Sequence, residues 1–134
     1  MAPVAGLDGE GARLFGGRWN SPGRPMIYTA ASPSLAVLEV LVRFDLPPEL
    51  LRNDYRLLSI HVPDDAPVLE LEDLPGDPRA VGDDFLSRGE ALVLRAPSAV
   101  VPQERNSLVN PRHPAAALLR LQANEPFKFD PRLF

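Results

Sequence analysis

The chain has 134 residues, no cysteine and a formal net charge of −4. That acidic balance gives no clustered Lys and Arg footprint for a phosphate backbone. The missing cysteines exclude a disulfide framework as well as thiolate ligands and nucleophiles. No charged n-region precedes an apolar h-region, and no apolar run approaches the roughly 20 residues of a membrane span. The expectation is a cytoplasmic protein, with neither nucleic acid nor membrane as a direct partner, folded as one domain over 1–134. Its 16 prolines are set against 45% hydrophobic content, so they should punctuate short packed elements rather than mark disorder.

Residues 1–12 are small, polar and Gly-rich, and are expected as a loop or frayed end. Residues 13–20 are expected as a short extended piece, with 21–25 as a turn and 26–30 as a buried strand. Ser32 suits an N-cap and Pro33 the first helical position. Leu35, Leu38, Leu41 and Val42 recur at helical spacing, which predicts a helix reaching Phe44. Pro47 and Pro48 end it, residues 50–55 are expected as a turn or helical segment, and 56–62 as a strand. Turn chemistry fills 63–67, followed by a strand over 68–71 and a loop over 73–78.

A second helix is predicted from Asp77 or Pro78 to Leu86 or Ser87, with Gly89 in the C-cap position. Strands are expected over 91–95 and 99–101, either side of Pro97 and Ser98. The polar stretch 103–113, with Asn106 and Asn110, is expected as a long loop. A short helix is expected over 114–121, and a terminal strand over 126–130, where Phe127 and Phe129 alternate with Lys128.

Three polar side chains stand where bulk structure does not ask for them. Glu39 has Leu35, Ala36, Val42 and Arg43 three and four positions away. It is either a carboxylate beside an apolar face or half of an exposed pair with Arg43, worth only ~0.3–0.5 kcal/mol. Arg18, between Gly17 and Asn20, either pairs with an acidic residue or offers its guanidinium fork to a phosphate or carboxylate. Tyr28 is either a core aromatic with a satisfied hydroxyl or a stacking platform. Ser98 has no general base beside it in sequence, so no hydrolase triad is indicated. Two histidines without cysteine do not make a zinc site, and no metal is expected. The glycine run from Gly6 to Gly11 lacks the preceding strand and following helix of a dinucleotide fingerprint.

Taken together, several separated motifs resemble one family. They are Gly11-Ala-Arg-Leu-Phe-Gly-Gly-Arg-Trp-Asn20, Ile27-Tyr-Thr-Ala30, Leu38-Glu-Val-Leu41, Val81-Gly-Asp83, the run from Leu94 to Pro102, Asn106, Asn110-Pro111, His113-Pro114 and the stretch from Pro126 to Arg132. In this order they resemble the RES domain, the toxin half of bacterial RES–Xre toxin–antitoxin pairs. The resemblance implies an α+β, ADP-ribosyltransferase-like fold, a split β-sheet core with short helices cradling NAD. Family members open with a strand that 1–11 does not supply, so the first family strand is expected to be absent. Phe85 stands where a Trp is common.

By the same resemblance the naming Arg, Glu and Ser match Arg18, Glu39 and Ser98, and Tyr28 matches an active-site tyrosine. The implied function is a toxin that cleaves NAD+ at the nicotinamide–ribose bond. Glu39 would stabilise the ribose cation, Arg18 would hold the pyrophosphate and Tyr28 would stack. Asn20, Ser98 and Asn110 would complete the polar contacts. NAD+ is then a substrate and no cofactor is implied. The implied partner is a cognate Xre helix-turn-helix antitoxin, and a homo-oligomer is compatible with the pattern. Water, inorganic phosphate and a protein side chain all stay open as acceptor, which leaves protein ADP-ribosylation as an alternative. A catalytically silent binding module is the reading from another class.

Overall fold

The computed structural model describes residues 9–42 and 55–134. The expectations for 1–8 and 43–54 therefore lie outside the described residues. They include the missing first strand, the helix end at Phe44 and most of the segment over 50–55.

In chain order the elements are α1 (Glu10–Phe15), β1 (Ile27–Ala30), α2 (Pro33–Leu41), β2 (Arg56–His61), β3 (Val68–Glu70), α3 (Pro78–Arg88), β4 (Val93–Pro97), β5 (Arg105–Val109) and β6 (Arg120–Pro126). Short 3-10 helices occupy Pro114–Leu118 and Pro131–Leu133. Local chemistry explains the two longer helices. The Ser32 hydroxyl accepts from the Leu35 N–H at 3.1 Å and Pro33 opens α2. Asp77 accepts from the Ala80 N–H at 3.2 Å to start α3, and Gly89 closes it at φ 62°, a left-handed cap that suits glycine.

Five expectations are corrected. Helix α1 takes up part of the expected loop and begins inside the stretch expected to have no helix after its glycines; it buries none of its residues, so no apolar stripe reveals it. The segment after it is a tight turn bridged between Gly17 and Asn20, not an extended piece. Residues 99–101 form no strand, because the N–H groups of Val100 and Val101 both donate to Ser98 Oγ at 3.0 Å instead of to a ladder. The expected loop over 103–113 contains β5, and the last strand is β6 rather than 126–130. Phe127 and Phe129 pack edge to face, with ring centroids 5.0 Å apart.

The sheet is split. Four strands run in the order β1-β5-β4-β3, with β3 and β4 parallel and the other pairs antiparallel. A second sheet pairs β2 with β6, with a register shift between Ser59 and Ile60. Alternation along the four-stranded sheet buries both faces. One face carries Leu94, Ala96 and Leu108 against Trp19, Met26 and Phe85 of α3. The other carries Ile27, Val93 and Val109 against Ala115, Ala116 and Leu119. No helix among the described residues is long and apolar enough to cross a membrane.

Candidate active site

A cleft of about 910 Å³ opens between the two sheets, near the upper end of the range for small-molecule sites. Its lining includes Arg18, the strand β1 with Tyr28, Glu39 of α2, residues 56–60 of β2, and Asn106 of β5.

Arg18 rides on the turn over 17–20, and α3 grips that turn from behind. The Arg79 guanidinium donates to the Gly17 carbonyl at 3.1 and 3.3 Å. The Asp83 carboxylate accepts from the Ser21 N–H at 2.8 Å and from its hydroxyl at 2.5 Å. Between these two ties Gly82 lies against the Trp19 carbonyl so closely that a Cβ there would sit 1.7 Å from the oxygen. Trp19 is buried in the core while its neighbour Arg18 is exposed to the cleft. The Arg18 guanidinium has no hydrogen-bond or ion-pair partner among the described residues. A fixed backbone therefore presents a free planar cation, the arrangement that suits a phosphate or carboxylate.

The Tyr28 hydroxyl accepts from the Trp19 N–H at 3.1 Å and donates in a short bond to Asn20 Oδ1. The ring is half-buried and lines the cleft. Tyr28 thus has the satisfied hydroxyl of a structural aromatic and also lines the cleft. A Cβ on Gly17 would lie 2.5 Å from the Tyr28 hydroxyl, so glycine there lets the tyrosine reach the turn.

Glu39 reaches the cleft from α2. Its Oε1 accepts from Ser98 Oγ at 2.6 Å and from Asn106 Nδ2 at 2.8 Å, while no described residue donates to Oε2. The two donors come from the ends of neighbouring strands, Ser98 just after β4 and Asn106 on β5, where Ala96 pairs with Asn106. Glu39 is the one carboxylate lining the cleft among the described residues. The exposed-pair reading had Arg43 as partner, which lies outside them.

The structure brings together Arg18, Tyr28 and Glu39 on one cleft and places the other expected contact residues behind or away from it. Asn20 is fully buried, its Nδ2 donating to the carbonyls of Ala12, Ser21 and Arg24, which ties the arginine turn to its surroundings. Ser98 is also fully buried, with its hydroxyl committed to Glu39 and two backbone N–H groups. Asn110 follows the far end of β5, where its Oδ1 accepts from the Arg112 N–H at 3.0 Å. Four residue steps along the strand, about 13 Å, separate it from Asn106. Asn106 was missed as a site residue because a polar stretch without alternation reads as a loop. The signal available was its place among the motifs. Among the described residues no cluster of three or more His, Asp or Glu could hold a metal ion.

A cleft with a free guanidinium, an aromatic wall and one half-satisfied carboxylate can bind an anionic, partly aromatic ligand and stabilise positive charge beside it. A family model described as the RES domain matches residues 1–130. The chain is 42% identical over 141 residues to "Toxin Res" of Pseudomonas putida, covering 100% of this chain and 97% of the relative. It is 34% identical over 140 residues to "Prs ADP-ribosylating toxin" of a Sphingobium species, covering 95% of this chain and 86% of that one. Among solved structures, the crystal structure of the M. tuberculosis MbcT–MbcA toxin–antitoxin complex superposes with a TM-score of 0.73 at 28% identity, over 98% of this chain and 81% of the other.

Proposed function

Since the chain belongs to the RES domain family, we propose that it is the toxin of a toxin–antitoxin pair and cleaves NAD+ at the nicotinamide–ribose bond. The observation that carries this reading is the placement of Glu39, which among the described residues is the one cleft carboxylate, pinned through Oε1 with no donor on Oε2.

The chemistry follows from charge. As the C–N bond breaks, nicotinamide leaves with the bonding electron pair and the ribose gains oxocarbenium character. A carboxylate that hydrogen-bonds the ribose hydroxyls stabilises that cation in the transition state more than in the ground state. Glu39 Oε2 is the oxygen available for this. The Arg18 guanidinium takes the pyrophosphate, fixing the dinucleotide along the cleft. The Tyr28 hydroxyl is already committed, so its contribution is the ring against the nicotinamide ribose. Water then adds to the ribose carbon and loses its proton, giving ADP-ribose. Phosphate adding in its place gives ADP-ribose 1-phosphate.

The name of the Sphingobium relative favours a second reading, transfer of the ADP-ribose to a protein side chain at the same site. The superposed toxin–antitoxin complex supports an antitoxin partner for this chain. We assign it to the Xre helix-turn-helix class, acting in the cytoplasm where NAD+ is available.

The test is incubation of the purified protein with NAD+, with and without phosphate, with products separated and weighed. Loss of NAD+ with release of free nicotinamide is expected, and phosphate dependence names the acceptor. A folded Glu39→Ala protein that still consumed NAD+ would sink the mechanism, and a mass increase on a protein target without free ADP-ribose would move the reading to the transferase.

A further inference from the structure

Two asparagines near the cleft are built in opposite ways. Asn20 is satisfied at both ends, with three carbonyls accepting from its Nδ2 and the Tyr28 hydroxyl donating to its Oδ1. Asn106 is not. Its Nδ2 donates to Glu39 Oε1, but its Oδ1 is buried without a hydrogen-bond partner, and it stands alone in this among the described residues. Reversing the amide gives no relief, since it would set Oδ1 against a carboxylate oxygen. A buried acceptor left unmet is destabilising, and most such groups in folded proteins are paired. An apolar residue at 106 would remove the penalty, so structure alone does not call for asparagine here.

What asparagine supplies is the second donor on a single oxygen. Ser98 alone would leave the Glu39 side chain free to swing about one contact. Donors from two strand ends converging on Oε1 fix both the position of that oxygen and the direction in which Oε2 faces. The same side chain lines the cleft, so the cradle lies at the site and not in the distant core.

We propose that Asn106 is a positioning residue for the cleft carboxylate: with Ser98 it pins Glu39 Oε1 and so presents Oε2 to the substrate, and its unsatisfied Oδ1 is the structural cost of that orientation. The inference rests on the reading of Glu39 as the working carboxylate.

The test uses the full chain with Asn106→Ala and Asn106→Asp. Misplacing a catalytic group by a fraction of its contact distance costs up to about a hundredfold. Asn106→Ala should therefore lower kcat roughly 10- to 100-fold, with KM held within about threefold. Its thermal midpoint should stay level or rise, because the orphaned acceptor has gone. Asn106→Asp, which keeps the shape and loses the donor, should lose at least as much kcat. An Asn106→Ala protein with wild-type kcat overturns the proposal, as does one whose midpoint falls in step with its activity. The substrate-free readout is the Asn106 side-chain amide signal in 1H–15N spectra, expected to move in Glu39→Ala. If the wild type leaves NAD+ untouched, the functional reading fails, and the amide signal with the Asn106→Ala midpoint then decides the structural half alone, whether Asn106 holds Glu39. A moved signal with a level midpoint supports the cradle, and an unmoved signal overturns it.

Discussion

The arginine turn and the glutamate corner line the same cleft, and they are held by different means. The turn is gripped through backbone: Arg79 on the Gly17 carbonyl, Asp83 on the Ser21 N–H, Gly82 against the Trp19 carbonyl, and buried Asn20 tied to three carbonyls. Among the described residues, Glu39 is held through side chains alone, by the Ser98 hydroxyl and the Asn106 amide. The difference is one of what has to be fixed. A flexible arginine needs a rigid base and a free head, whereas a carboxylate that must face a developing charge needs its own oxygens oriented. Damage to the turn should appear as lost fold, and damage to the corner as lost turnover in a folded protein.

The sharpest way to break the first half of that contrast is Gly82→Ala. Alanine is favoured over glycine in a helix interior by about 1 kcal/mol. Here its Cβ would sit 1.7 Å from a backbone oxygen, so the clash decides the sign. A loss of about 3 kcal/mol or more is expected in chemical denaturation, with little folded protein recovered. On the corner, Glu39→Gln keeps shape and removes charge. Turnover should fall about 10²- to 10³-fold, with the unfolding midpoint little changed.

Gly17→Ala sets a Cβ 2.5 Å from the Tyr28 hydroxyl and 2.9 Å from Asn20 Oδ1, both side-chain atoms that can yield. An intermediate loss of about 1–3 kcal/mol is expected, with KM rising as Arg18 shifts. The smallest effect belongs to the outer face of α3. The Asp84–Arg88 pair at 2.9 Å is exposed on both sides, so Asp84→Ala should change stability by less than about 0.5 kcal/mol and leave turnover alone. A large effect there would mean that α3 holds the turn by more than its inner face.

Legibility followed the same division. The capped helices could be read from Ser32-Pro33, Asp77-Pro78 and Gly89 because those residues act locally. Strands β1, β2 and β3 could be read from their short apolar runs between turn residues. β5 could not, since Arg105, Asn106 and Ser107 open it and only Leu108 and Val109 enter the core. Its polar half serves the site, and that use erases the periodicity by which a strand is recognised. β6 is exposed along nearly its whole length and offers no alternation either. Within the site, residue identities carried Arg18, Tyr28 and Glu39 through the family motifs. What identity could not tell was which asparagine faces Glu39, because that depends on the pairing of Ala96 with Asn106 across strands distant in sequence from α2.

The most direct measurement of the central claim is NAD+ turnover by the wild-type chain beside a Glu39→Gln protein shown to be folded by circular dichroism. NAD+ should be lost in the first and at least a hundredfold more slowly in the second. Equal rates in the two would contradict it, because the open oxygen of Glu39 would then have no part in the reaction.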